Sequence, residues 1–110
     1  METIKEWIEE INKIDKSIIV EGKKDIKALR KIGVNKPIHS LNKEPIYKIA
    51  EEFPSKEVVI LTDFDKKGKE LYSRLKRELQ SWGIKVDNVF REWLQRNTKI
   101  SHIEGIDKAS

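Results

Sequence analysis

The sequence predicts an α/β fold, a four-stranded and mainly parallel sheet flanked by helices, with one extra amphipathic helix at the N-terminus. Three observations carry this. Helical and strand patterns alternate along the chain, which is the order of βαβ units. The runs Ile18-Ile19-Val20 and Val58-Val59-Ile60-Leu61 are apolar without a polar alternation, as strands buried on both faces are. Both runs end in acidic residues, Glu21 and the pair Asp63 and Asp65.

The elements follow in order. Thr3 with Glu6 makes a capping-box pattern, and Ile4, Trp7, Ile8, Ile11 and Ile14 recur at helical spacing, which predicts a helix over about 3–15. Ser17–Gly22 reads as a buried strand closed by glycine. Asp25 is placed to cap a helix with the stripe Ile26, Leu29 and Ile32, stopped by Gly33. Pro37–Leu41 is a weaker strand. Ile46, Ile49, Ala50 and Phe53 form the next helix, with Pro45 at its first turn and Pro54 beyond its end. Glu57–Asp63 is the strongest strand. The longest helix follows, with Leu71, Leu75, Leu79 and Trp82 on one face and Gly83 after it. Lys85–Phe90 reads as the fourth strand, Trp93-Leu94 as a short helix, and Lys99–Ile103 as a last strand. With 110 residues and no linker, repeat or low-complexity segment, the whole chain is expected to form one domain. Its N-terminal helix and its tail, 92–110, should pack back onto the core, because Trp7, Ile8, Ile11 and Trp93 would otherwise form an exposed apolar patch.

Composition narrows the function. Charged residues make up 38% of the chain, yet the net charge is only +4, which permits an anionic partner without requiring one. Without cysteine there is no disulfide framework, thiolate metal site or thiol nucleophile. The charged N-terminus lacks the apolar core of a signal peptide, and no apolar run reaches the ~18 residues of a membrane span. A cytoplasmic protein with no membrane partner is the expectation.

The acids carry the chemistry. In open parallel sheets, ligands bind beyond the carboxyl ends of the strands, where connections diverge to opposite faces. If the first and third strands are neighbours, Glu21, Asp63 and Asp65 share one rim. A hard cation such as Mg²⁺, or Mn²⁺ in its place, takes one or two carboxylates, several waters and substrate phosphates. The bland alternative for each acid alone is a helix cap or a solvated carboxylate. Known acidic motifs do not fit. An EF-hand loop starting at Asp63 would place Lys67 and Arg74 at its fifth and twelfth positions, where acids or amides are needed. A receiver domain pairs two acids after its first strand, where this chain has Glu21-Gly22. Phosphatases of the haloacid-dehalogenase type carry Asp-x-Asp on the first strand, not the third.

Taken together, "IIVEGKKDIKAL" (Ile18–Leu29) and "VILTDFDKKGKEL" (Val59–Leu71) resemble the Toprim domain. That domain is shared by topoisomerases, bacterial primases, OLD-type nucleases, recombination proteins and a ribosomal-RNA-maturing ribonuclease. The resemblance covers about residues 17–91 and is strongest to the standalone, single-domain Toprim proteins of archaea. It implies a Toprim-like (Rossmann-like) fold and divalent-metal chemistry on nucleic acid. By this resemblance Asp63 and Asp65 bind Mg²⁺, and Glu21 serves as general acid/base or as a metal ligand. Asp25 matches an acid that some nuclease branches use for metal. Gly22 and Gly68 match glycines that let backbone approach a phosphate or make a tight turn.

Lys23, Lys24, Lys66, Lys67 and Lys69 flank the acids and suit phosphate contact, against a bland reading as solvated surface. His39 and His102 have no partner at metal-ligand spacing and read as structural or surface residues. Tyr47 and Tyr72 read as packing or surface residues, so a nucleophilic tyrosine of the topoisomerase kind is not evident and a complete topoisomerase or primase is not expected. Two functions follow as expectations. One is a metal-dependent nuclease or nucleotidyl-transfer-type domain acting on DNA or RNA. The other is a non-catalytic module that binds nucleic acid or protein partners in RNA processing or DNA repair.

Overall fold

The structure, a computed structural model, describes residues 1–42 and 44–109. The chain runs α1 (Ile4–Lys13), β1 (Ser17–Val20), α2 (Lys23–Lys31), β2 (Ile38–Ser40), α3 (Ile46–Glu52), β3 (Glu57–Leu61), α4 (Lys66–Ser81), β4 (Lys85–Asp87), α5 (Val89–Asn97) and a 3₁₀ helix (Ile103–Lys108). The four strands form one sheet in the order β2-β1-β3-β4, and every pairing is parallel. Ile18 lies beside Val59 and Val20 beside Leu61, so β1 and β3 are the central neighbours and end level with each other.

Alternation along these strands divides the core. Ile18, Val20, Val59 and Leu61 face one side, where Trp7 and Ile11 of α1, Leu29 of α2, Leu94 of α5, and Ile103 and Ile106 cover them. Ile19, Val58 and Ile60 face the other, against Ala50 of α3 and Leu75 and Leu79 of α4. This two-sided burial is why both strands read as continuous apolar runs. From β1 the chain leaves through α2 on the first face, and from β3 it leaves through α4 on the second. The connections therefore diverge between β1 and β3, which opens a crevice at their carboxyl ends.

The N-terminal helix starts as its pattern predicts. Thr3 Oγ1 accepts from the Glu6 amide at 3.1 Å, and the Trp7 indole donates to the Phe90 carbonyl at 3.0 Å, tying α1 to α5. Among the described residues, no helix is long and apolar enough to cross a membrane.

Four expectations change. Lys99–Ile103 forms no strand: it crosses the rim of the sheet, with Ser101 accepting from the Phe64 amide, and enters the 3₁₀ helix. The fourth strand stops at Asp87, whose side chain accepts from the Val89 amide and turns Val89 and Phe90 into α5. Trp82 lies past the core stripe of α4 and is 52% exposed. Asp25 does not cap α2 as its first residue. Gly22 holds that position, and Asp25 reaches back from the first turn to accept from the Gly22 amide at 3.1 Å.

Candidate metal centre

Glu21 and Asp63 follow the ends of the neighbouring strands β1 and β3, one residue past Val20 and two past Leu61. The Glu21 carboxylate accepts from the Asp63 amide at 2.7 Å, so the two chain ends are bonded across the crevice. Burial raises the Glu21 carboxyl above its ordinary value, and the charges of Asp63 and Asp65 push it the same way. The amide of Asp63 and the charge of Lys67 act in the opposite sense.

Asp65 caps α4, its Oδ1 accepting from the Gly68 amide at 2.8 Å. Asp63 Oδ1 accepts from the amide of Ile103 at 2.8 Å. The same tail segment delivers His102, whose Nε2 lies 3.3 Å from Asp65 Oδ2 while Ser101 Oγ holds Nδ1 at 2.8 Å. Ligand atoms of Asp63, Asp65 and His102 all lie within 4.8 Å of one another. Two carboxylates and an imidazole converging this closely fit a divalent ion. The carboxylates suit Mg²⁺ or Mn²⁺, and the imidazole shifts the set towards the more nitrogen-tolerant ions. The expectation that His102 has no metal-spaced partner is therefore corrected. Its partners are remote in sequence and become neighbours only when the tail folds across the rim. His39 does behave structurally, with its ring edge-on to Phe53.

Glu21 and Asp25 fall outside that tight trio. Asp25 is 7% exposed, and its carboxyl rises from 3.8 to about 6, chiefly through burial and then through the charges of Asp63 and Glu21. Its bond to the Gly22 amide gives it a structural role in starting α2.

The two glycines differ. A Cβ on Gly68 would sit 2.1 Å from the carbonyl oxygen of Asp63, so only glycine lets the first turn of α4 lie against that peptide. The close approach seen here is to the Asp63 peptide, within the protein itself. Gly22 has extended backbone and open space where a Cβ would be, so no turn requires it. Lys23 and Lys24 begin α2, Lys66 and Lys67 begin α4, and all four are exposed, as is Lys69.

One organising residue was not singled out from the sequence. Arg91 is 6% exposed and donates from Nη2 to the Asp63 carbonyl at 2.8 Å and from Nε to the Thr62 carbonyl at 3.3 Å. Its guanidinium lies between the rings of Phe64 and Tyr72, 4.7 and 4.6 Å from their centroids. It grips the loop that carries both aspartates. Tyr72 is thus a packing partner, as expected, while Tyr47 is a surface residue at 60% exposure.

With this geometry in view, comparison with known proteins gives a consistent answer: the chain belongs to the Toprim domain family, whose profile matches residues 15–90. A UPF0292 protein of Methanocaldococcus jannaschii is 40% identical over 96% of this chain and 88% of its own length. One of Thermococcus onnurineus is 42% identical over 93% of this chain and 77% of its own. A solved structure of a protein from Aquifex aeolicus superposes with a TM-score of 0.85 at 33% identity, covering 94% of this chain and 98% of that one. Family membership connects the chain with metal-dependent, nucleic-acid-related function, and Toprim domains generally bind a divalent metal.

Proposed function

We propose that this Toprim protein is a metal-dependent nuclease that cleaves phosphodiester bonds in DNA or RNA. The observation that carries the reading is the convergence of Asp63, Asp65 and His102 beside a carboxyl, Glu21, whose proton affinity is raised. Asp63 and Asp65 would hold Mg²⁺ or Mn²⁺, with His102 as a further ligand or as a hydrogen-bonding partner of a coordinated water. A divalent ion bound there supplies charge to a phosphoryl oxygen and lowers the pKa of a bound water. Glu21 keeps one carboxylate oxygen on the Asp63 amide, which fixes its orientation and leaves the other to accept or return a proton. Burial brings that carboxyl closer to neutral pH, where such an exchange is efficient. Lysines at the first two positions of α2 and α4 stand against the positive ends of those helix dipoles, an arrangement that an anionic ligand would relieve. Lys23, Lys24, Lys66, Lys67 and Lys69 would then contact substrate phosphates.

A second reading rests on a specific observation: each aspartate already uses one oxygen structurally, Asp65 on Gly68 and Asp63 on Ile103. On that reading the acids shape the rim of a non-catalytic module that binds nucleic acid or a protein partner in RNA processing or DNA repair. One experiment separates the two. Labelled DNA and RNA, single- and double-stranded, are incubated with the protein in Mg²⁺, Mn²⁺ or EDTA, beside Glu21→Gln and Asp63→Asn. Cleavage that requires metal and is lost in both variants supports the nuclease. Binding that persists in EDTA and in both variants, without cleavage, supports the module.

A further inference from the structure

The helix that Asp65 caps continues away from the metal centre with an exposed cationic edge. Lys66, Lys69, Ser73 and Arg77 follow one another at helical spacing, with Arg74 beside them, and all five are exposed. Together with Glu70, the one acid among its lining residues, they line a groove of about 630 Å³ along α4. Arg74 and Arg77 also line an adjoining groove of about 500 Å³ against the start of α3, whose other wall includes Pro45, Ile46 and Tyr47. Among the described residues none of these four cations is held in an ion pair. Glu78, which also borders the α3 groove, is approached by the Trp82 indole at 3.4 Å.

We propose that this double groove is a track for single-stranded nucleic acid, with Tyr47 as its base-stacking platform. Arg77 lies eleven helical steps beyond Lys66, so the cationic edge runs about 16 Å from the metal centre, at 1.5 Å per residue. Unpaired cations in a row match a phosphate backbone, and planar guanidinium groups suit both phosphate and base faces. Tyr47 is left 60% exposed at the wall of this groove, where its ring is open to a stacking partner. Stacking on it needs a base whose face is free, which a single strand offers and an intact duplex does not. The inference rests on the nucleic-acid reading above, because it gives that substrate its strandedness and its path.

The test is fluorescence anisotropy with labelled single-stranded and duplex oligonucleotides, using the full chain in EDTA so that metal makes no contribution. The variants are Tyr47→Ala, Tyr47→Phe, the pair Arg74→Ala/Arg77→Ala, and a control pair, Lys5→Ala/Arg96→Ala, on the helices of the other sheet face. The wild type should prefer single strands. Tyr47→Ala should weaken that binding roughly 5- to 150-fold, the range for one stacked base, and Tyr47→Phe should retain it. Removing both arginines should lower the salt dependence by about 1.4, at ~0.7 per charge for single strands, while the control pair leaves affinity near the wild-type value. Thermal melts check that each variant is folded. Wild-type affinity in Tyr47→Ala and in the arginine pair overturns the track, as does failure of the wild type to bind single strands. Metal-dependent cleavage is followed in parallel. Cleavage without any effect of the groove variants defeats the track alone, and groove-dependent binding without cleavage defeats the nuclease alone.

Discussion

Substituting Gly68 by alanine sets two physical effects against each other. Helix propensity alone favours the change, because alanine in a helix interior is about 1 kcal/mol better than glycine. The packing opposes it. The added Cβ would meet the Asp63 carbonyl oxygen at 2.1 Å, its carbon at 2.5 Å and its Cα at 2.8 Å, all backbone atoms that cannot rotate away. Reaching ordinary contact at 3.4 Å requires the start of α4 to move about 1.3 Å from the Asp63 peptide. That movement disrupts the Asp65 cap on the Gly68 amide and the bond from Thr62 Oγ1 to the Gly68 carbonyl, both 2.8 Å long. A lost cap costs about 1 kcal/mol, a buried hydrogen bond about 1 kcal/mol, and overpacking about 1–3 kcal/mol. After the propensity gain, Gly68→Ala should destabilise the protein by roughly 2–4 kcal/mol. Urea unfolding in EDTA at neutral pH measures it. A variant as stable as the wild type, or more stable, refutes the argument that Gly68 is required by contact with Asp63.

Two further predictions concern the groups around the aspartates. Arg91→Met keeps much of the volume between Phe64 and Tyr72 but leaves the Thr62 and Asp63 carbonyls without their donor. Unfolding in EDTA should show a loss of roughly 2–4 kcal/mol, and an unchanged midpoint would remove Arg91 from the role of loop anchor. For Asp25, a carboxyl raised from 3.8 to about 6 holds its proton more tightly in the fold than in the unfolded chain. Its contribution is therefore fully present below pH 3.8 and is lost as pH rises through about 6, an effect of about 3 kcal/mol at 1.36 kcal/mol per decade. Asp25→Asn, which still accepts from the Gly22 amide, should flatten stability between pH 4 and 7 in EDTA and raise it at neutral pH. A wild-type pH profile in the variant would count against a buried, costly carboxylate at this position.

Much of this was legible locally. Strands buried on both faces announce themselves as uninterrupted apolar runs, and two such runs ending in acids pointed to one rim, where Glu21 and Asp63 are in fact bonded. The parts that were not legible depend on contacts between distant segments. His102 lies far along the chain from Asp65, and its β-branched surroundings, Lys99–Ile103, carry the pattern of a strand. Ile103 nevertheless goes into the core and its amide goes to Asp63, which pulls the segment across the rim. Arg91 gave no local signal: it follows the exposed Val89 and the buried Phe90, and its carbonyl partners, Thr62 and Asp63, are remote in sequence. At Gly68 the close approach that requires glycine is to the Asp63 peptide, a contact between segments that the local sequence does not announce.

The central claim is that Asp63 and Asp65 form a divalent-metal centre, and Asp65→Asn tests it with the fold preserved. Asparagine caps helices as well as aspartate does, so the bond to the Gly68 amide survives while the carboxylate charge is lost. Titration with Mn²⁺, followed by the loss of its free-ion paramagnetic resonance signal, should show one saturable site in the wild type. Even residues that only support a metal ligand change affinity 10–100-fold, so Asp65→Asn should bind at least about tenfold more weakly, with its melting temperature little changed. Equal Mn²⁺ binding by the two proteins would contradict the metal centre and leave these carboxylates as caps and loop anchors.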